Sequence, residues 1–282
     1  MRNTKRTQKI AFFFLFLATL LVVVPVGLVI VIIVQKGLPA INWQFLSDVP
    51  RQGMRAGGIF PAIVGTLYLV SGAVVFALPI GLMAAIYLSE YAKENALTRV
   101  IKLAIINLAG VPSVVYGLFG LALFVVFFKF GASIIAGSLT LGIMILPIII
   151  TTSREALESV PYSFREVSWS LGASKWQTIR HIVLPNAIPG ILTGTILGIG
   201  RASGETAPIL FTVAAFYLPQ LPSSIFDQAM VLPYHLYVIS TQVPNVDEKI
   251  RYGTALVLLS MVLVVNLVAI LIRAKFRKRK KW

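Results

Sequence analysis

The stretch IAFFFLFLATLLVVVPVGLVIVIIV, residues 10–34, holds twenty-five residues without one charged side chain. At about 1.5 Å of rise per residue, a helix of that length exceeds the ~30 Å hydrocarbon core of a bilayer. It is also longer than the apolar region of a signal peptide, about 7–15 residues, and no A-x-A-like cleavage site follows it. The reading is a retained first transmembrane helix. Five more apolar runs of spanning length follow, at 61–89, 100–129, 132–152, 186–215 and 252–273. The expected fold is an all-α integral membrane protein with about six transmembrane helices.

Composition agrees. Of the 282 residues 57% are hydrophobic and 12% charged, half the share of about 25% in a soluble domain. So few charges cannot clothe a water-facing surface unless lipid covers much of it. The formal net charge is +15, which in a soluble protein points to nucleic acid. Here the basic residues sit at the ends of the apolar runs, and no nucleic-acid partner is expected. Six spans put both termini on one side. With the N-terminus in the cytosol, the inside segments carry eighteen Lys and Arg: Arg2, Lys5, Arg6 and Lys9, then Lys93, Arg99 and Lys102, then Arg154, Arg165, Lys175 and Arg180, and seven between Arg273 and Lys281. The outside segments carry six: Lys36, Arg51, Arg55, Lys129, Lys249 and Arg251. The positive-inside rule then places both termini in the cytosol.

The organisation expected is an N-terminal helix and external loop (1–59), a core of five spans (60–275) and a basic cytosolic tail (276–282). The external segments 35–60 and 216–251 are rich in Pro, Trp and Tyr. Interfacial anchoring explains that, and so does a docking surface for an external partner. With no cysteine, thiolate metal sites, disulfides and cysteine nucleophiles are excluded. His181 and His235 lack a carboxylate–histidine cluster and read as structural or interfacial rather than as metal ligands. No catalytic residue is nominated. No G-x-x-x-x-G-K-[ST] loop occurs, so if ATP drives this chain, another chain hydrolyses it.

The segment between spans four and five reads VPYSFREVSWSLGASKWQTIRHIVLP, residues 160–185. Ser163 and Glu166 have capping-box spacing, which predicts a helix from Phe164. Phe164, Val167, Ser168 and Leu171 share one face of it. Gly172 stands where a left-handed cap would end that helix, and Ser174 with Gln177 opens a second helix running to Pro185. Two capped helices make a rigid projection. It either lies on the membrane surface or transmits force. The spacing Glu166, Gly172, Ile182, Leu184-Pro185 resembles the EAA motif of ABC-importer permeases, with Val167 and Ser168 where that family has alanines. The resemblance implies that this loop seats in a groove of a separate ATPase subunit, with Ser163, Glu166, Gly172, Ile182, Leu184 and Pro185 at the contact.

Span five contains Arg201 and Glu205. A charge inside a span costs at least about 2.5 kcal/mol, so each is a functional candidate. On a continuous helix Gly190, Gly194, Gly198, Arg201 and Glu205 share an arc of about 80°. The glycines let a neighbouring helix approach closely, so the charges face protein or a water-filled path. Either they form a buried ion pair that fixes packing, or they form an anion site. The Arg fork suits phosphate-like oxyanions. A carboxylate beside it could accept a hydrogen bond from the proton that phosphate keeps near neutral pH and sulfate lacks. In span three, Pro112 removes a helical hydrogen bond between Gly110 and Gly117. That is a packing kink, or a broken helix that points Ser113 at a substrate. Asn107 and Tyr116 are weaker candidates, and Arg154 and Glu155 read as a solvated helix end.

Two motifs narrow the resemblance. Arg201-Ala-Ser-Gly-Glu-Thr-Ala-Pro208 is similar to the R-x-x-G-E-T-A-P signature of PstA-type permeases of phosphate ABC importers. Ala109-Gly-Val-Pro-Ser-Val-Val-Tyr-Gly117 is similar to another stretch of that family, and the likeness runs from about residue 60 to 275. It implies a type I ABC importer permease fold and a substrate path containing Arg201, Glu205, Thr206 and Ser113. It also implies a PstC-type sister permease, a homodimeric PstB-type ATPase holding ATP and Mg, and an external PstS-type phosphate-binding protein. No cofactor is implied in this chain. A permease for sulfate or molybdate, or a gradient-driven transporter without an ATPase, remains the alternative.

Overall fold

The structure is a computed structural model that describes residues 2–277, with side chains over 7–275. The basic tail expected at 276–282 lies outside the described side chains. Helix α1 (Arg2–Gly37) is followed by the short α2 (Trp43–Ser47), which Asn42 caps by accepting the Phe45 N–H at 2.7 Å. A two-stranded hairpin pairs β1 (Pro50–Arg51) with β2 (Ala56–Gly57). Helix α3 (Phe60–Ile86) continues as a π-turn over Tyr87–Tyr91. Next come α4 (Ala96–Ala109) and α5 (Ser113–Gly120), then α6 (Ile134–Glu158), started by Ser133 accepting the Ala136 N–H. The short α7 (Ser163–Ser170) and α8 (Lys175–Thr178) precede α9 (Leu184–Gly204) and α10 (Ala207–Thr212). Helices α11 (Leu232–Thr241) and α12 (Glu248–Arg277) complete the chain.

Among the described residues five helices are long and apolar enough to cross a membrane, and a sixth span exists if the bent pair α4 and α5 counts as one. The count agrees with the apolar runs, and two boundaries do not. The run 100–129 is not one straight span: its two halves meet at 101°. Pro112 stands in the break with extended backbone, φ −58° and ψ 140°. It has no N–H to donate, and its ring pushes the preceding residue out of the helical region. The run 186–215 is displaced in the other direction: one helical rod covers Lys175–Gly204 and stops before Glu205.

The core lies where α3, α6 and α9 pack, with Leu69, Leu141, Met144, Ile145 and Ile149 fully buried. Small residues set the spacing. Gly72 faces Ser138, whose hydroxyl donates to the Leu69 carbonyl at 3.2 Å, and Gly142 faces Phe76. On the other flank of α6, Gly190 abuts Ala156 and Gly194 abuts Thr152. Helix α12 lies against α9, where Arg273 donates to the Thr193 hydroxyl at 3.0 Å, and Gly37 of α1 rests on the Tyr252 backbone. The apolar side chains of α1 between Ile10 and Val34 point outward, as lipid contact requires.

The segments that join these helices cluster at opposite ends. At one end Arg55 donates to the Pro244 carbonyl and Tyr217 to the Pro50 carbonyl, which ties the β-hairpin to the segments before α12 and after α10. His235 is buried on α11, its Nδ1 unpaired, and burial pushes its pKa down to about 4, so it is neutral at physiological pH. At the other end lie the π-turn after α3, the end of α6, and α7 with α8.

The glycine contacts separate two positions that look alike in sequence. A Cβ at Gly194 would overlap the Thr152 hydroxyl and sit 2.7 Å from its Cβ, whereas a Cβ at Gly198 would meet Ile145 and Ile149 at 3.6 Å. Gly194→Ala is expected to cost about 1–3 kcal/mol through overpacking. Gly198→Ala should be neutral or gain up to about 1 kcal/mol from the better helix former. Thermal unfolding of the two variants in detergent checks the difference, and equal melting shifts would contradict it.

Candidate substrate path and coupling elbow

Arg201 occupies the last turn of α9. The helix ends at Gly204 because Pro208 cannot donate the N–H that would bond the Gly204 carbonyl, and its ring would strike that carbonyl. Glu205 is consequently extended, at φ −75° and ψ 135°, and does not continue the helical arc on which the sequence reading set it. The pair nevertheless forms: Arg201 Nε lies 3.5 Å from Glu205 Oε1, with 29% and 19% of the two side chains exposed. At that distance it is an ion pair rather than a well-formed hydrogen bond. Among the described residues Glu205 is the guanidinium's one ion-pair partner and Tyr116 lies near enough to feel its charge, while no hydrogen bond takes up the rest of the Arg fork. Thr206 follows, half-buried, at the start of α10, with no side-chain cap bond.

The second break lies beside the first. Ser113 opens α5, half-buried. One turn on, Gly117 lets α10 close in: a Cβ there would stand 2.8 Å from Phe211 Cδ2 and 3.0 Å from the Ala207 carbonyl oxygen and Pro208 Cα. The two proline-broken segments are therefore neighbours, although far apart in sequence. Tyr116, buried, spans the 101° bend by donating its hydroxyl to the Leu108 carbonyl at 2.7 Å. No bond links Ser113 to Arg201 or Glu205 among the described residues. Asn107 is exposed, and Arg154 pairs with Glu158 at 3.3 Å at the end of α6. Asn266, which sequence reading passed over, sits on α12 against Gly200, its Nδ2 3.6 Å from where a Cβ would be, with its Oδ1 buried and unpaired. An amide inside an apolar run was the available signal.

The elbow is built as two short helices, with three corrections. The first helix begins one residue early, at Ser163, with Tyr162 as its N-cap, and no side-chain cap bond forms. The Phe164 N–H bonds Pro161 and the Arg165 N–H bonds Tyr162, so turns at Pro161 and Tyr162 replace the expected Ser163–Glu166 capping box. The four residues read as sharing one face are also split. Ser168 turns inward with Arg165, while Val167 and Leu171 are 60% and 83% exposed. Third, the second helix does not end at Pro185. A π-turn over Ile179–Val183, closed by the Leu184 N–H on the Ile179 carbonyl, carries the chain past the missing Pro185 donor into α9. Gly172 takes φ +83° in open space, and the Ser174–Gln177 box forms as read. Glu166 and Pro185 are exposed, and Ile182 and Leu184 are half-buried. Tyr162, Val167, Trp169, Leu171 and Trp176 leave an apolar surface on the projection.

Arg165 and Glu90 are the residues sequence reading missed. The Arg165 fork grips Glu90 with Nη2–Oε1 at 2.6 Å and Nε–Oε2 at 3.2 Å, and each side chain is only 7% exposed. Their 75-residue separation hid the pair.

Helical spans packed through small residues, two broken spans side by side and a projecting elbow define a multi-pass membrane permease. Solved ABC importers share the fold. A chain of the inward-facing MetNI methionine ABC transporter aligns with TM-score 0.60 over 77% of this chain and 97% of that one, at 15% identity. One from the bacterial alginate ABC transporter aligns with TM-score 0.62 over 94% of each, at 18% identity. The chain belongs to the family described as binding-protein-dependent transport system inner membrane component, matched over residues 77–282. It is 34% identical to the probable ABC transporter permease protein YqgI of Bacillus subtilis over 95% of both chains. It is 38% identical to the phosphate transport system permease protein PstA 1 of Mycobacterium tuberculosis H37Rv over 80% of this chain and 73% of that protein. With PstA of Mycobacterium leprae identity is 35%, over 92% and 86%.

The Tyr116 bond across the bend gives an expectation for stability. Tyr116→Phe keeps the ring and removes the donor, so it should cost about 0.5–1.5 kcal/mol, read as a lowered melting temperature of the purified protein.

Proposed function

We propose that this chain is a membrane-spanning permease subunit of an ATP-driven inorganic phosphate importer. It forms the translocation path with a sister permease, and a separate homodimeric ATPase holding ATP and Mg drives it. The observation that carries the reading is Arg201, a guanidinium with an uncommitted fork in the last turn of a membrane-spanning helix, beside a second helix break. A planar fork of donors matches the oxygens of phosphate, and the phosphate permeases among its relatives support that substrate. Glu205 accepts a hydrogen bond from the proton that phosphate retains near neutral pH. Ser113 and Thr206, at the starts of the adjacent helices, contribute hydroxyls.

The charge count along the chain supports placing both termini and the 160–185 elbow in the cytosol. In that orientation the exposed Val167, Leu171, Trp169 and Trp176 meet the ATPase, with Glu166 and Gly172 beside them. The β-hairpin end faces outward to an external phosphate-binding protein. Alternating access then requires that the anion bind the outward and inward states differently.

Reconstituted uptake tests this. Arg201→Glu reverses the charge and should abolish phosphate uptake while the sister permease and ATPase still copurify. Disassembly of that variant would assign Arg201 to packing instead. Glu205→Gln should raise sulfate uptake relative to phosphate, and unchanged selectivity would remove the proton-reading role.

A further inference from the structure

We propose that the Arg165–Glu90 pair is the joint that carries motor motion from the elbow into the second and fourth membrane-spanning helices. The inference rests on the reading of the elbow as the ATPase contact and names the residues through which a push leaves it.

Three observations carry it. First, the guanidinium is shared by three elements. Besides Glu90 at the end of α3, Nη2 donates to the Leu157 carbonyl at 3.0 Å and Nη1 to the Val160 carbonyl at 2.8 Å, both at the end of α6. One side chain of α7 thus holds the ends of two spans, and its planar fork fixes their angle as well as their distance. Second, the same inward face of α7 is tied to the rod whose last turn holds Arg201. Ser168 and Thr178 share a hydrogen bond of 2.9 Å, and Thr178 leads through the π-turn directly into α9. Motion of α7 therefore reaches α3, α6 and α9 together. Third, the pair is not reinforced by close packing on its open flank. A cavity of about 420 Å³ lies beside it, lined by Ser89, Glu158, Tyr162, Trp169 and Lys175. On that side α7 leans on the polar bonds. Glu90 also sits in a π-turn, where an extra residue per turn aims a side chain that a regular helix would direct elsewhere.

Arg165 and Glu90 are in this account positioning residues: they touch neither phosphate nor ATP. Arg165→Lys keeps the charge and loses the fork. Glu90→Gln keeps the shape and loses the charge. The assembled complex in proteoliposomes supplies two readouts from one preparation, phosphate uptake and ATP hydrolysis. In both variants the ATPase should copurify as with the wild type and hydrolysis should persist. Phosphate moved per ATP should fall by about tenfold, the scale on which single positions alter coupling. The double variant should be no worse than either single one, because both remove the same joint.

An unchanged ratio of uptake to hydrolysis in both variants would overturn the proposal. So would a parallel fall of the two activities, which marks a docking role. If neither variant assembles, Glu90→Asp, which keeps the charge at a shorter reach, is measured by the same ratio. Failure of all three to assemble would overturn the joint in favour of a folding brace. A wild-type chain that captures no ATPase would defeat the elbow reading itself, a result separable from every outcome of the variants.

Discussion

A backbone N–H or carbonyl in hydrocarbon has no water to bond, so each must find a partner inside the protein. That constraint governs where this chain is allowed to break. At Pro112 the helical ladder stops between the two halves of a bent span, and at Gly204 it stops where the rod ends. Tyr116 reaches across the first to the Leu108 carbonyl. The second is flanked by α10, which packs on α5 through Gly117. Putting the breaks together packs α5 against α10. It also gathers the polar groups of two distant motifs, Ser113 and the stretch Arg201–Thr206, around one region of the bundle.

A different economy operates at the end that carries the elbow. Removing one partner of a buried ion pair typically costs about 3–5 kcal/mol, because the other charge is stranded. An Arg with 7% exposure is tolerable here because Glu90 takes the fork and two carbonyls at the end of α6 take further N–H groups. The Leu157 carbonyl lies in the last turn of α6, where a helix runs short of N–H donors, and the guanidinium adds a partner there to the Val160 N–H. The elbow's outer face carries exposed Val167, Leu171 and Trp176 instead. Polar bonds inward and apolar surface outward suit an element that must stay attached to its own bundle while offering a seat to something else.

Between these two regions runs a single rod, Lys175–Gly204. It begins with the Ser174–Gln177 capping box and ends at Arg201 and the pair with Glu205. Two prolines within it, Pro185 and Pro189, would each remove a helical bond, and the π-turn over Ile179–Val183 absorbs the first without a break. Gly190 and Gly194 hold the rod against α6. In the proposed function this rod links the motor contact to the anion site.

The number of spans, the elbow with its Gly172 stop and Ser174 box, and the pairing of Arg201 with Glu205 were all legible along the chain. Each rests on local chemistry: apolar length, a positive φ, a hydroxyl three residues before an amide, a charge where lipid should be. The Pro208 stop was legible too and was missed, since the missing N–H falls on Gly204 within the same motif. What only the tertiary structure decided is contact between residues distant in sequence. Nothing local in Glu90 or Arg165 says that they meet across 75 residues, that Gly117 admits α10, or that Ser168 turns inward while Val167 turns out. Sequence fixes what each segment can do by itself, because backbone bonds and burial length are counted within a few turns; which faces meet depends on how whole helices pack, and that is settled only by the assembled bundle.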